Sequence, residues 1–186
     1  MKRSSRLLLL VPLLAMVALG ACGGSDGDDA AGEAAGDDGR RGTDSAFAAL
    51  MVPHHAHALE MAELAVTKAT RAETRDLAQR IIDTQQRELT TLEGFLDTFG
   101  AEPAMPPAPA MELMEGQIEQ LATATGAGFD RAFLKAMSDH HLSAIQMAEM
   151  EIGGGTFPAA VELAEEIGDT QEKEIAEMLG IMAFLG

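Results

Sequence analysis

The chain has 186 residues, enough for one domain, with a formal net charge of −17 at pH 7 and a single cysteine. Such an acidic balance repels nucleic acid and anionic lipid, so no nucleic-acid partner is expected. With Cys22 as its only cysteine, the domain is denied disulfides, thiolate zinc sites, iron–sulfur clusters and c-type haem attachment.

Lys2, Arg3 and Arg6 precede an apolar run from Leu7 to Leu19. The run is too short for a comfortable membrane span and reads as the core of a signal peptide over residues 1–21. It ends in Leu19-Gly20-Ala21-Cys22, which resembles a bacterial lipoprotein processing box. By that resemblance Cys22 is the lipidated first residue of the mature protein, anchoring it to the cell membrane on the extracytoplasmic face. Losing the three basic residues with the leader takes the net charge from −17 to −20. Residues 22–43 are mostly Gly, Asp and Ala with almost nothing to bury, which predicts a disordered tether.

The folded domain is expected over residues 44–186. Helix 1 is predicted from Asp44 or Ser45, either serving as its cap, to about Lys68, with Pro53 kinking or restarting it. Thr70-Arg71-Ala72-Glu73 has the capping-box pattern for helix 2, whose apolar positions Leu77, Ile81, Leu92, Phe95 and Phe99 follow helical spacing until Gly100 ends it. Four prolines between Ala101 and Ala110 demand a non-helical crossover. A short helix is expected from Met111 to Thr123, with Leu113, Met114, Ile118 and Leu121 on one side. Helix 4 is expected from about Phe129 to Ile152, stopped by Gly153-Gly154-Gly155. Helix 5 follows, capped by Thr156 with Pro158 in its first turn. No window alternates with period two, so the fold is expected to be all-α.

The decisive pattern is an internal repeat at an offset of 86 residues. Aligning 47–100 with 133–186 gives 18 identical pairs in 54. Two matching helical hairpins, 47–100 and 129–186, joined by a crossover over 101–128, predict a four-helix bundle with internal pseudo-twofold symmetry. All five histidines lie in the two copies of the first motif. On a helical wheel Met51, His54, His55, Ala58, Met61 and Ala62 share an arc of about 120°, with Glu60 and Glu63 opposite. Met137, His140, His141, Ala144, Met147 and Ala148 repeat that face.

Burying imidazoles without partners costs roughly 1–3 kcal/mol for each unsatisfied group. Gln85 and Glu88 on helix 2, and Gln171 and Glu174 on helix 5, are the candidates to orient them by accepting the second ring N–H; Asp83 and Asp169 form a further pair whose inward position is less clear. Imidazole plus thioether without thiolate favours copper, above all Cu(I), over magnesium, calcium or manganese, and zinc gains little from methionine. The expected ligands are His54, His55, His140 and His141 with Met51, Met61, Met137 and Met147. His57, matched by Ser143, is an optional ligand. Met105, Met111 and Met114 near the crossover are expected to pack in the loop or core, with added thioether ligation as the alternative reading, and Met150, Met178 and Met182 are expected in the core. A di-iron centre needs Glu three residues before His on two helices, where this chain has Met51 and Met137.

On these residues the sequence resembles the domain-of-unknown-function 305 family. The shared pattern runs through Met51, His54, His55, Ala58, Met61 and Ala62, then Ile81, Gln85, Glu88 and Leu89, and recurs at Met137, His140, His141, Ala144, Met147 and Ala148, then Ile167, Gln171, Glu174 and Ile175. The resemblance implies a ferritin-like helical bundle exported from bacteria, often as a lipoprotein, with some members binding copper in the periplasm in support of resistance. Two features depart from symmetry: Asp139 stands where copy one has Pro53, and Gly153-Gly154-Gly155 loosens the second turn.

The leading expectation is therefore a membrane-anchored extracytoplasmic copper-binding protein that buffers or resists the metal and catalyses nothing. Its partners are the metal ion and, through the lipid, the membrane. The alternative is a tethered interaction module for an envelope protein, with a purely structural histidine–carboxylate core. A haem-binding or redox bundle ranks third, since bundles can hold haem between Met and His. No nucleophile–base pair or phosphate-binding glycine loop is present.

Overall fold

The computed structural model describes residues 33–185 and is all-helical, with no strand among the described residues. The expected signal peptide and Cys22 lie outside them. The helices are α1 (Glu33–Lys68), α2 (Ala72–Phe99), α3 (Ala108–Thr123), α4 (Gly126–Gly154) and α5 (Pro158–Ala183). None of the described helices is long and apolar enough to cross a membrane. The helix α1 begins at Glu33, inside the stretch expected to be a disordered tether; with Gly36, Gly39 and Gly42 in that stretch, helix propensity does not account for the extension.

Helices α1 and α2 form one hairpin and α4 and α5 the other; the hairpins meet mainly through α1 against α4, and more lightly through α2 against α5. Two apolar clusters fill the interior. One holds Phe47, Met51, Leu92, Ala144 and Ile167; the other holds Phe133, Met137, Met178, Ala58 and Ile81. The 86-residue offset carries each of the first three residues of one cluster onto the corresponding residue of the other (Phe47 to Phe133, Met51 to Met137, Leu92 to Met178), and Ala58 and Ile81 onto Ala144 and Ile167. The repeat in sequence is thus a twofold exchange in space: the start of α1 packs with the end of α4, and the reverse.

Several local expectations change. Thr70 does not cap α2; Arg71 is the N-cap and makes no side-chain cap bond. Thr156 does not cap α5, whose N-cap is Phe157, while Pro158 does open it. Nor does Asp44 cap α1, since it lies within the helix and is fully buried. Gly100 ends α2 at φ +63°, in the left-handed region, and the Ala101 N–H donates to Leu96 O at 3.0 Å. The helix α4 continues through Gly154 and ends at Gly155.

Pro53 neither ends nor restarts α1, which is continuous through it. Lacking an N–H, it frees the carbonyl of Ala49, four residues earlier. The Ala104 N–H of the crossover donates to that carbonyl at 2.8 Å. The proline thus supplies an anchor that draws the crossover down beside α1. From there α3 packs across α1 and α4. Leu121 is buried and Met114 and Ile118 are half-buried, but Leu113 is 64% exposed, one position out of phase with that stripe. Lys68, in the last turn of α1, donates to the Leu121 carbonyl at 2.8 Å and to that of Ala122, where the end of α3 leaves acceptors and partial negative charge.

Candidate metal centre

A polar layer separates the two apolar clusters. It is built from the histidines of α1 and α4 and from Gln85, Glu88, Gln171 and Glu174 of α2 and α5, all placed inward by helical periodicity. His55 and His141 are fully buried, His140 nearly so and His54 half-buried.

Two equivalent pairs form across the hairpins. The Nε2 of His55 lies 2.9 Å from Glu88 Oε2, and that of His141 lies 2.7 Å from Glu174 Oε2. In each, the ring N–H donates to the carboxylate, which leaves the lone pair of a neutral ring on Nδ1. Neither Nδ1 has a partner.

At the centre of the α1–α4 contact, the rings of His54 and His140 stack with centroids 3.7 Å apart and planes tilted by 33°. His140 Nδ1 and Nε2 and His54 Nδ1 are buried without a partner. Burial lowers the pKa of His54 to about 3, helped by the repulsion of His55, His141 and His57. Burial also holds His140 well below the ordinary histidine range, with His54 the nearest repelling charge. Both rings are neutral at physiological pH, the form that ligates metal. His57 Nε2–H donates to the Met114 carbonyl at 3.2 Å, and its ring lies 5.2 Å from that of His140.

Gln85 and Gln171 are as buried as expected, but both atoms of each side-chain amide lack partners, so neither orients a histidine. Asp83 and Asp169 are exposed, and Asp83 accepts from Gln79 at 2.9 Å on its own helix. Their side chains point to solvent because the inward stripe of α2 and α5 passes two residues later, through Gln85 and Gln171.

Met51, Met61 and Met137 are fully buried and Met147 half-buried. Met51 and Met147 belong to one apolar cluster, Met61 and Met137 to the other. The thioethers therefore flank the histidine layer on both sides. Ten residues separate Met51 from Met61, about 15 Å along a helix, so the eight expected ligands cannot surround one ion. Among the described residues no three histidine or carboxylate groups converge as a ready metal cage. Met178 is core as expected and Met182 packs against it, whereas Met150 is 61% exposed.

One further cluster escaped sequence reasoning. Asp44 accepts from the Thr156 N–H at 2.8 Å, the Phe157 N–H at 3.0 Å and the Thr156 hydroxyl at 3.0 Å. Asp130, its partner at the 86-residue offset, accepts from the Thr70 N–H at 3.1 Å and from the Thr70 hydroxyl. Each hairpin thus clamps the turn of the other. The available signal was Asp-x-Ala-Phe, at 44–47 and 130–133, just upstream of the aligned repeat. Copy two adds a fully buried Glu151 beside Asp44. A Cβ at Gly155 would press on the carboxyl of Glu151 and come within 2.8 Å of Asp44 Oδ1, so any larger residue there would have to displace the pair. Burial, with the bond to Asp44 and its charge, raises the Glu151 pKa to about 8. For Asp44 burial acts upward, but the bonds from Glu151, Phe157 and Thr156 prevail and hold it below its usual value.

No curated protein matches the chain significantly. Among solved structures, a DUF305 protein of Streptomyces coelicolor named as secreted is 28% identical, with a TM-score of 0.71 over 77% of this chain and 92% of that one. A DUF305 fragment from Deinococcus radiodurans is also 28% identical, with a TM-score of 0.69 over 76% and 95%. CopM in its Cu(I)-bound form is 34% identical, with a TM-score of 0.64 over 74% and 93%. CopM also has Cu(II)-bound, silver-bound and apo structures. The family DUF305, a domain of unknown function, matches residues 44–182. With that match spanning most of the chain and both copies of the histidine motif, the chain belongs to the DUF305 family.

Proposed function

We propose that the protein is a non-catalytic copper-binding protein of the extracytoplasmic face, anchored through Cys22, that buffers Cu(I) or confers resistance to it. The observation that carries this reading is the set of unpartnered ring nitrogens in the buried layer: Nδ1 of His54, His55, His140 and His141, and Nε2 of His140. A purely structural histidine–carboxylate network accounts for the Glu88 and Glu174 bonds alone. It leaves these nitrogens and the amides of Gln85 and Gln171 unsatisfied, at roughly 1–3 kcal/mol each. A soft cation bound through imidazole and thioether offsets that cost and suits the donor set. The copper- and silver-bound structures of CopM support the same reading.

The residues fit such an ion as two half-sites. In one, His55 is one helical turn from Met51, whose apolar cluster also takes Met147, and Glu88 fixes the ring. In the other, His141 is one turn from Met137, whose cluster also holds Met61, and Glu174 has the same role. His54 and His140 lie between them. The metal supplies charge and Lewis acidity; the chain supplies neutral donors, fixed tautomers and an interior that excludes water. Secretion in the Streptomyces relative agrees with an extracytoplasmic place.

The test is Cu(I) affinity of the purified protein against a competing chelator. Replacing His55 and His141 by Ala is expected to abolish tight binding while helicity, followed by circular dichroism, stays largely intact. Unchanged affinity in that variant would overturn the reading.

A further inference from the structure

Outside the histidine layer, the crossover and α3 border an open groove of about 550 Å³ against α1. Its walls include Pro53 and Pro106, held close because Ala104 is tied to the Ala49 carbonyl that Pro53 frees. His57, Met111 and Met114 also line it. We propose that this groove is a second, outer site for a soft monovalent ion such as Cu(I) or Ag(I), held by the thioethers of Met111 and Met114 and the imidazole of His57.

The donors suit that class of ion. Met111 and Met114 are three apart on α3 and so share a face. Met111 is 39% exposed and Met114 half-buried, so neither side chain is closed off from an incoming ion. His57 is only 5% exposed. Its bond from Nε2–H to the Met114 carbonyl fixes the ring against the helical turn that carries both thioethers and leaves the lone pair on Nδ1, which is buried without a partner. Glu60, Glu115 and Glu119 stand around the groove and raise the local concentration of cations. Hard carboxylates do not select a soft ion; the thioethers do.

The position suggests what the site is for. His57 belongs to both places: it lines the groove, and its ring lies 5.2 Å from that of His140. An ion taken up outside needs one short transfer to reach the layer. The arrangement is one-sided, because copy two has Ser143 where copy one has His57. The pseudo-symmetric core thus has a single loading side. This loading role rests on the copper reading of the core, whereas the outer site does not.

Ag(I) stoichiometry and affinity of the purified protein test the site, by titration calorimetry and native mass spectrometry. Met111→Leu/Met114→Leu conserves volume and keeps the carbonyl that His57 needs. It is expected to lose one ion of the full complement, or to weaken it by at least about tenfold, with helicity unchanged. His57→Gln, a change off the α3 helix, should weaken the same ion. In His55→Ala/His141→Ala the outer ion should remain and then disappear when the two methionine changes are added. Wild-type stoichiometry and affinity in Met111→Leu/Met114→Leu would overturn the outer site. Wild-type binding in the His55/His141 variant would instead overturn the core reading, leaving the outer site to stand on the methionine result.

Discussion

Glu151 shows how a single buried proton couples stability to pH. Its carboxyl lies beside that of Asp44 under Gly155, and two carboxylates so placed cannot both be ionised without mutual repulsion. The folded pKa of about 8 lies above the unfolded value of 4.5, so between these limits the folded state holds more protons than the unfolded one. Stability contributed by Glu151 is therefore complete below pH 4.5 and falls as pH rises towards 8. Asp44 acts in the opposite sense: its folded pKa is lowered, so its contribution is lost as pH falls through the acid range. Urea denaturation of the wild type is expected to show a stability lower by roughly 3–4 kcal/mol at pH 8.5 than at pH 5, from the ionisation of Glu151. Glu151→Gln, whose amide can donate to Asp44 at any pH, should flatten that slope. An equal slope in both proteins would refute the assignment. Copy one has Ala65 and Ala69 at the positions of Glu151 and Gly155, so no such proton is held at the other clamp.

Helix ends and turns carry the specificity of the fold at the next scale. The Asp44 and Asp130 clamps tie each hairpin's first helix to the other hairpin's turn, fixing how far the two hairpins can slide. Asp130→Ala leaves the Thr70 N–H and hydroxyl without their acceptor and is expected to cost roughly 1–3 kcal/mol. Asp130→Asn, which retains an acceptor oxygen, should recover part of that loss. Chemical denaturation of the three proteins compares these outcomes, and equal stability of Asp130→Ala and wild type would show the clamp to be idle. The helices themselves were legible: the stripe Leu77, Ile81, Leu92, Phe95 is buried as its spacing requires. The caps read at Thr70, Thr156 and Asp44 were not, because these residues bond to partners in the opposite hairpin, 60 or 112 positions away. A local motif cannot distinguish a cap from a long-range clamp when both need the same oxygen.

Across the whole molecule, the two apolar clusters are copies related by the repeat, and the polar layer between them is the region where packing alone leaves groups unsatisfied. A ligand that binds only the folded layer raises stability by mass action. Cu(I), kept reduced and at about a hundredfold over its dissociation constant, is expected to stabilise the protein by about 2.7 kcal/mol per site. The chain has no Trp or Tyr, so melting is best followed by far-ultraviolet circular dichroism. The His55→Ala/His141→Ala variant should lose the core share of that shift; a shift of wild-type size in the variant would place the stabilising ion elsewhere.

The sequence by itself determined the all-helical fold, the extent of the repeat, the family, and the placing of His54, His55, His140, His141 and their methionines on buried faces. Those features follow from periodicity and from comparison of residues at a fixed offset, both of which are written along the chain. It also singled out Glu88 and Glu174, since inward carboxylates on the paired helices had few other candidate partners. Only the tertiary structure decided that Gln85 and Gln171 stay unpartnered while the glutamates bond, that His54 and His140 stack, that Nδ1 is the free nitrogen of His55 and His141, and that Met51 shares its cluster with Met147 rather than Met137. Each of these depends on ångström distances and ring orientations between helices, which helical spacing leaves open.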